Sequence, residues 1–225
     1  LCFFTVCSYS AVWSPVIGFS AIASIVVGSL SAIYQKRLKR LLAYSTIAHT
    51  GFILLAFLSY SLIATKSLIF YIIIYSCMTI TMFSLIISAY APAGVQPKYL
   101  INFSGIGSRN QIFAATFGLT ILAIAGIPPL AGFFSKFFIL VSVIGAEYYF
   151  IALTIIFFSS IACFYYIRMV KILFFVKNSK NTLWITSVEK KNTEIVIGIF
   201  LFFICCYFLY PNLIVNFSIV VCFSS

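Results

Sequence analysis

The chain has 225 residues, of which 64% are hydrophobic, 19% aromatic and only 8% charged. A soluble domain needs roughly 25% charged residues, so the composition excludes a water-soluble fold and requires a protein built into a membrane. Fourteen Lys and Arg stand against three acids. They lie between long apolar runs, which makes them a topology signal rather than a nucleic-acid surface.

The first residues, Leu1–Ser8, are apolar but lack a basic start and a small-residue cleavage site. They are expected to be the tail of a helix that began upstream, not a signal peptide. Six apolar runs follow. A membrane-crossing helix needs about 20 apolar residues to span ~30 Å of hydrocarbon, and Trp13–Tyr34 meets that length. After it comes the basic loop "QKRLKR" (Gln35–Arg40). Its Lys36, Arg37, Lys39 and Arg40 suit anchoring on anionic lipid headgroups.

The second run is Leu41–Ile63, which carries His49, the sole histidine, in "AYSTIAHTGF". Imidazole titrates near physiological pH, so His49 fits a proton-relay position. A hydrogen bond to a neighbouring helix explains it equally well. The third run, Ser67–Tyr90, carries a polar stripe of Tyr71, Tyr75, Ser76, Thr79 and Thr81, open to the same two readings. The loop Pro92–Gln111 contains glycines and prolines and is expected to lie on the membrane surface.

The fourth run, Ile112–Ile144, is too long for one upright helix, since 1.5 Å per residue would carry it roughly 50 Å. It is too short for two crossings. A single helix broken at Gly126, Pro128 and Pro129 fits, because proline removes an amide donor and clashes with the preceding turn. Carbonyls freed near Ile127–Leu130 would then need partners from protein or water.

Lys136 follows the break with eight apolar residues still to come. As a helix they place its ammonium roughly 12 Å inside the outer interface, where a charge costs about 2.5–3.5 kcal/mol. Either the side chain stretches to the headgroups, or the amine faces a hydrated interior. A desolvated amine exchanges its proton closer to neutral pH, which makes Lys136 the leading candidate for proton transfer.

Tyr149–Val170 and Glu194–Val221 complete the set, giving about six transmembrane helices plus the N-terminal remnant in a single membrane domain covering residues 1–225. Helices are the simple way to satisfy backbone groups in lipid, so the fold class is all-α and polytopic. Asn192 and Thr193 are expected to cap the last helix, with Glu194 at its positive end. Positive charge concentrates in alternate loops, Gln35–Arg40, Pro92–Gln111 and the one after Arg168. These are expected to face the cytoplasm or the mitochondrial matrix. The seven cysteines show no metal-ligand or disulfide spacing and read as small hydrophobes. With no Asp and three Glu, the sequence offers no acid pair or Ser/His/Asp triad for hydrolytic chemistry.

Three stretches carry a family resemblance. "YQKRLKRLLAYSTIAHTGFILLAF" and "LTILAIAGIPPLAGFFSKFFIL" resemble segments of the antiporter-like proton-translocating subunits, the second being their broken helix with a central lysine. "FYYIRMVKILFF" resembles the penultimate helix of one branch, subunit 2 of NADH dehydrogenase. Lysine at position 136, and Phe137 rather than an acid after it, are also similar to that branch. The resemblance implies the second half of an antiporter-like fold, a place in the membrane arm of respiratory complex I, and the inner mitochondrial membrane. It implies proton translocation, with Lys136 on the proton path. It implies no cofactor within this chain, flavin and iron–sulfur clusters belonging to other subunits. Partners implied are the other membrane-arm subunits, membrane lipid, and a separate chain supplying the N-terminal half. A cation/proton antiporter of the same fold, or a structural half-subunit, are the alternatives.

Overall fold

The structure, a computed structural model, describes residues 10–59, 61–90, 97–128, 130–176, 186–187 and 191–207. Helix α1 runs Ser10–Ile33, α2 Leu38–Leu58 and α3 Leu62–Ser88. A 3-10 turn, Leu100–Phe103, and one turn of helix, α4 (Ile106–Arg109), lead into α5 (Gln111–Ala125). Then come α6 (Ala131–Gly145), α7 (Tyr149–Phe174) and α8 (Lys191–Cys206). Among the described residues, extended backbone pairs as β1 (Ala89–Tyr90) with β2 (Thr186–Ser187), two residues each, and at a single bridge between Arg37 and Tyr99. The fold is therefore all-α. Helices α1, α2, α3 and α7 are each long and apolar enough to cross a membrane. At 15 residues each, α5 and α6 are half-span helices in line with a broken crossing.

Several boundaries move from their expected places. Helix α2 begins at Leu38, not Leu41, because Lys39 and Arg40 form its first turn. It ends at Leu58, not Ile63. Helix α3 begins at Leu62, not Ser67, because the Ser61 side chain accepts a hydrogen bond from the Ala64 amide at 3.0 Å and caps it. Helix α7 continues past Val170 to Phe174, with Lys171 in its last turn, where a cation complements the helix dipole. Asn192 and Thr193 lie inside α8 and are not its caps, while Glu194 does fall in its first turn. The expected remnant Leu1–Ser8 and the end of the run at Val221 lie outside the described residues.

Apolar side chains both fill the contacts between helices and cover the outer surface, while several polar ones are buried. Phe150, Leu153, Phe157, Phe164 and Ile167 line an exposed face of α7. Ser45, His49, Ser67, Thr81, Ser135 and Ser142 are buried. In lipid the apolar surface loses nothing by exposure, so the helices hold together by close packing and by hydrogen bonds. Gly28 shows the packing. A Cβ there would stand 2.6 Å from the Ala48 amide nitrogen on α2, so only glycine lets α1 and α2 approach this closely.

The loop before α5 is not a free surface strand. The Leu38 amide donates to the Lys98 carbonyl at 3.2 Å, and the Leu100 amide to the Lys36 carbonyl at 3.0 Å. Leu100, Phe103 and Ile106 are buried beneath it. Arg168 lies within α7, inside the expected run Tyr149–Val170. It donates to the carbonyls of Ile33 (2.8 Å) and Gln35 (3.1 Å). It thereby satisfies the open C-terminus of α1 and ties the first basic loop to α7.

Candidate functional site

The break between α5 and α6 is built from backbone accounting. A helix leaves its last four carbonyls unpaired. In α5 these belong to Leu122, Ala123, Ile124 and Ala125. Gly126 turns left-handed at φ 84°, a conformation that suits glycine. Its amide donates to Ala123 at 3.0 Å and the Ile127 amide to Leu122 at 3.2 Å, the pairing of a Schellman end. Two carbonyls remain. Lys136 takes both, its Nζ donating to Ile124 at 3.2 Å and to Ala125 at 2.7 Å.

This answers why a lone cation follows the break without an acid near it. Its counter-charge is the negative end of α5, made local by two charge-assisted hydrogen bonds. The carbonyls that need partners are those of Ile124 and Ala125, not those of Ile127–Leu130. The Ile127 carbonyl accepts from the Leu130 amide at 3.1 Å and the Leu130 carbonyl from the Phe133 amide at 3.1 Å. The side chain folds back over Gly126 rather than stretching towards the outer headgroups. A Cβ on Gly126 would meet Lys136 Cδ at 3.0 Å and Nζ at 3.1 Å. Pro128 lies in the turn between the helices, and Pro129 is outside the described residues. Lys136 also borders a cavity of about 280 Å³, whose polar lining comes from Ser159, Ser160 and Cys163 on α7.

His49 lies one helix away. Its Nδ1 is 2.5 Å from the Tyr71 hydroxyl on α3, and its ring stacks on Tyr75 with centroids 4.6 Å apart. Phe52, one turn further along α2, stands between the two titratable groups. Its ring centroid is 6.2 Å from that of His49 and 5.7 Å from Lys136 Nζ. The structure thus gathers Lys136, His49, Gly126 and Pro128 around the break, with Phe52 separating the lysine from the histidine.

The polar stripe of α3 divides. Tyr71 and Tyr75 face His49, but Ser76, Thr79 and Thr81 each bond to a carbonyl of their own helix. Among the described residues these three bonds link no helices to one another. Sequence reasoning placed Ser45 on the approach to His49 but missed Tyr165 and Tyr166. Ser45 Oγ is 2.6 Å from the Tyr166 hydroxyl, and the Tyr165 and Tyr166 rings are 4.4 Å apart. The available signal was the tyrosine pair in "FYYIRM", on a helix with a broad exposed apolar face.

His49→Gln is expected to keep the contact with Tyr71 and to assemble normally, whereas His49→Leu strands a buried hydroxyl. Such a stranded group costs about 1–3 kcal/mol. Native-gel yield of the two variants checks this. Equal yields would show that the contact has no structural weight.

An all-α membrane protein with a half-span helix pair and a backbone-clamped lysine at their junction defines the class. Residues 1–162 match the family described as "NADH:quinone oxidoreductase/Mrp antiporter, TM", and the chain belongs to that family. It is 38% identical over 205 residues to the NADH-ubiquinone oxidoreductase chain 2 of Arabidopsis thaliana, covering 91% of this chain and 40% of that one. It is 35% identical to NADH-quinone oxidoreductase subunit N 1 of Rhizobium meliloti (strain 1021), over 72% of this chain and 34% of that one. The chain therefore spans about 40% of the length of its first-ranked relatives. A chain of respiratory complex I from Thermus thermophilus has the same fold, with a TM-score of 0.77 over 90% of this chain and 45% of that one, at 23% identity.

Proposed function

We propose that the chain is the C-terminal part of a proton-translocating membrane-arm subunit of NADH:ubiquinone oxidoreductase, in the inner mitochondrial membrane. The observation that carries this reading is the Lys136 amine, set against two bare carbonyls at a helix break and bordering a cavity. Protonated, the amine holds the carbonyls of Ile124 and Ala125 with charge-assisted bonds. Deprotonated, it loses that assistance and the hold on the end of α5 weakens. One proton thus changes the strength of the clamp across the break, as a residue on a proton path requires.

The chain contributes no electron transfer of its own. Quinone reduction, flavin and iron–sulfur clusters belong to other subunits, and the energy they release drives the proton step here. Its partners are the neighbouring membrane-arm subunits, lipid, and a separate polypeptide carrying the N-terminal half. The basic loops face the matrix, following the positive-inside bias.

Isolation of the native complex tests the assignment. The expected particle contains this chain together with flavin, iron–sulfur clusters and a complementary polypeptide bearing the missing helices. A particle without redox centres that exchanges cations for protons would establish the antiporter instead. Recovery of this chain with no complementary half would favour a purely structural piece.

A further inference from the structure

Four buried hydroxyls lie between the basic face and His49, and the lysine clamp uses none of them. Ser45 sits seven residues along α2 from Leu38, roughly 10 Å in from the end of the basic loop. Its Oγ meets the Tyr166 hydroxyl at 2.6 Å. Tyr166 in turn bonds Tyr165 through their side chains. Each of these phenols is only 1% exposed. Tyr165 is near enough to Tyr75 for the two side chains to interact electrostatically, and Tyr75 carries the stacked ring of His49.

Inter-helix bonding accounts for Ser45 and Tyr166. It does not account for Tyr75. That hydroxyl is buried and has no hydrogen-bond partner among the described residues. A buried hydroxyl left unpaired costs free energy, and native structures supply it with a partner or a water. The Tyr75 ring lies beside both Tyr165 and His49, and one water paired with its hydroxyl would be near both.

We propose that Ser45, Tyr166, Tyr165 and Tyr75 form a hydroxyl file that carries protons between the basic face and His49, and onward to Lys136. The proposal rests on the reading of Lys136 as the proton carrier. Each hydroxyl accepts a proton on an oxygen lone pair and releases the one it held to the next oxygen. No phenol is left ionised, and the balance is one proton taken up at Ser45 and one delivered to the imidazole. The imidazole passes it to the amine when the Phe52 ring moves aside. Phe52 is the closed point of the line, standing between His49 and Lys136.

Tyr75→Phe and Tyr166→Phe remove a hydroxyl and keep the ring, so packing is preserved. The assembled complex carrying each variant is placed in sealed vesicles, and proton uptake per NADH oxidised is measured beside Lys136→Met. The expected result is normal assembly with the same loss of uptake as Lys136→Met. Full uptake in both tyrosine variants, with Lys136→Met impaired, would overturn the file and leave the lysine assignment standing. Full uptake in all three would remove both. Failure of Tyr75→Phe to assemble, with Ser45→Ala assembled and pumping normally, would make the hydroxyls structural and also overturn the file.

Discussion

On the proposed function, Lys136→Met is expected to lower proton uptake while the complex still assembles. Methionine approximates the length of the lysine stem, so the cavity wall and the packing on Gly126 are retained. What is lost is the amine that the proposed function makes the proton carrier at the break. The variant also strips the partner from the Ile124 and Ala125 carbonyls. Each unsatisfied buried group costs about 1–3 kcal/mol, partly recovered if water enters from the adjoining cavity. The measurement is proton uptake per NADH oxidised in sealed vesicles, with native-gel yield as the control for assembly. An assembled variant with unchanged uptake would remove Lys136 from the path.

Gly126→Ala should be the next most damaging change. Two costs coincide at this residue. An L side chain at φ 84° pays roughly 1–2 kcal/mol for the left-handed conformation. The new methyl also lands 3.0 Å from Lys136 Cδ and 3.1 Å from its Nζ. The lysine must then give by a few tenths of an ångström, which strains its hold on the two carbonyls. A double-mutant cycle separates the two effects. If crowding of the amine matters, Gly126→Ala costs less thermal stability in the Lys136→Ala background, where the shortened side chain leaves room. Equal costs in both backgrounds would reduce Gly126 to a turn residue.

The sequence shows the break because Gly126 and Pro128 are backbone breakers in an apolar run, and breakers are local signals. It shows the lysine because a lone charge among phenylalanines is conspicuous. It could not show what the lysine binds. The partners are main-chain carbonyls eleven and twelve residues earlier, and a carbonyl has no letter in a sequence. The helix starts at Leu38 and Leu62 were displaced for a related reason. Counting apolar residues ends a helix at a charge, whereas Lys39, Arg40 and Lys66 join theirs while reaching water. The tyrosine file escaped notice because Ser45 and Tyr166 are 121 positions apart, and neither segment alone signals its partner.

The ending of α5 has a further consequence. The counter-charge of Lys136 is made of peptide carbonyls, which neither gain nor lose a proton across the range in which cells live. An aspartate in that place would titrate with its neighbour, and the two would share their protons as a coupled pair. The amine therefore works against a fixed electrode. At this clamp the lysine is the partner whose charge can change, and the two carbonyls stay as they are. No side-chain substitution deletes that electrode, because every amino acid brings the same carbonyl. Only a change in where α5 stops can move it.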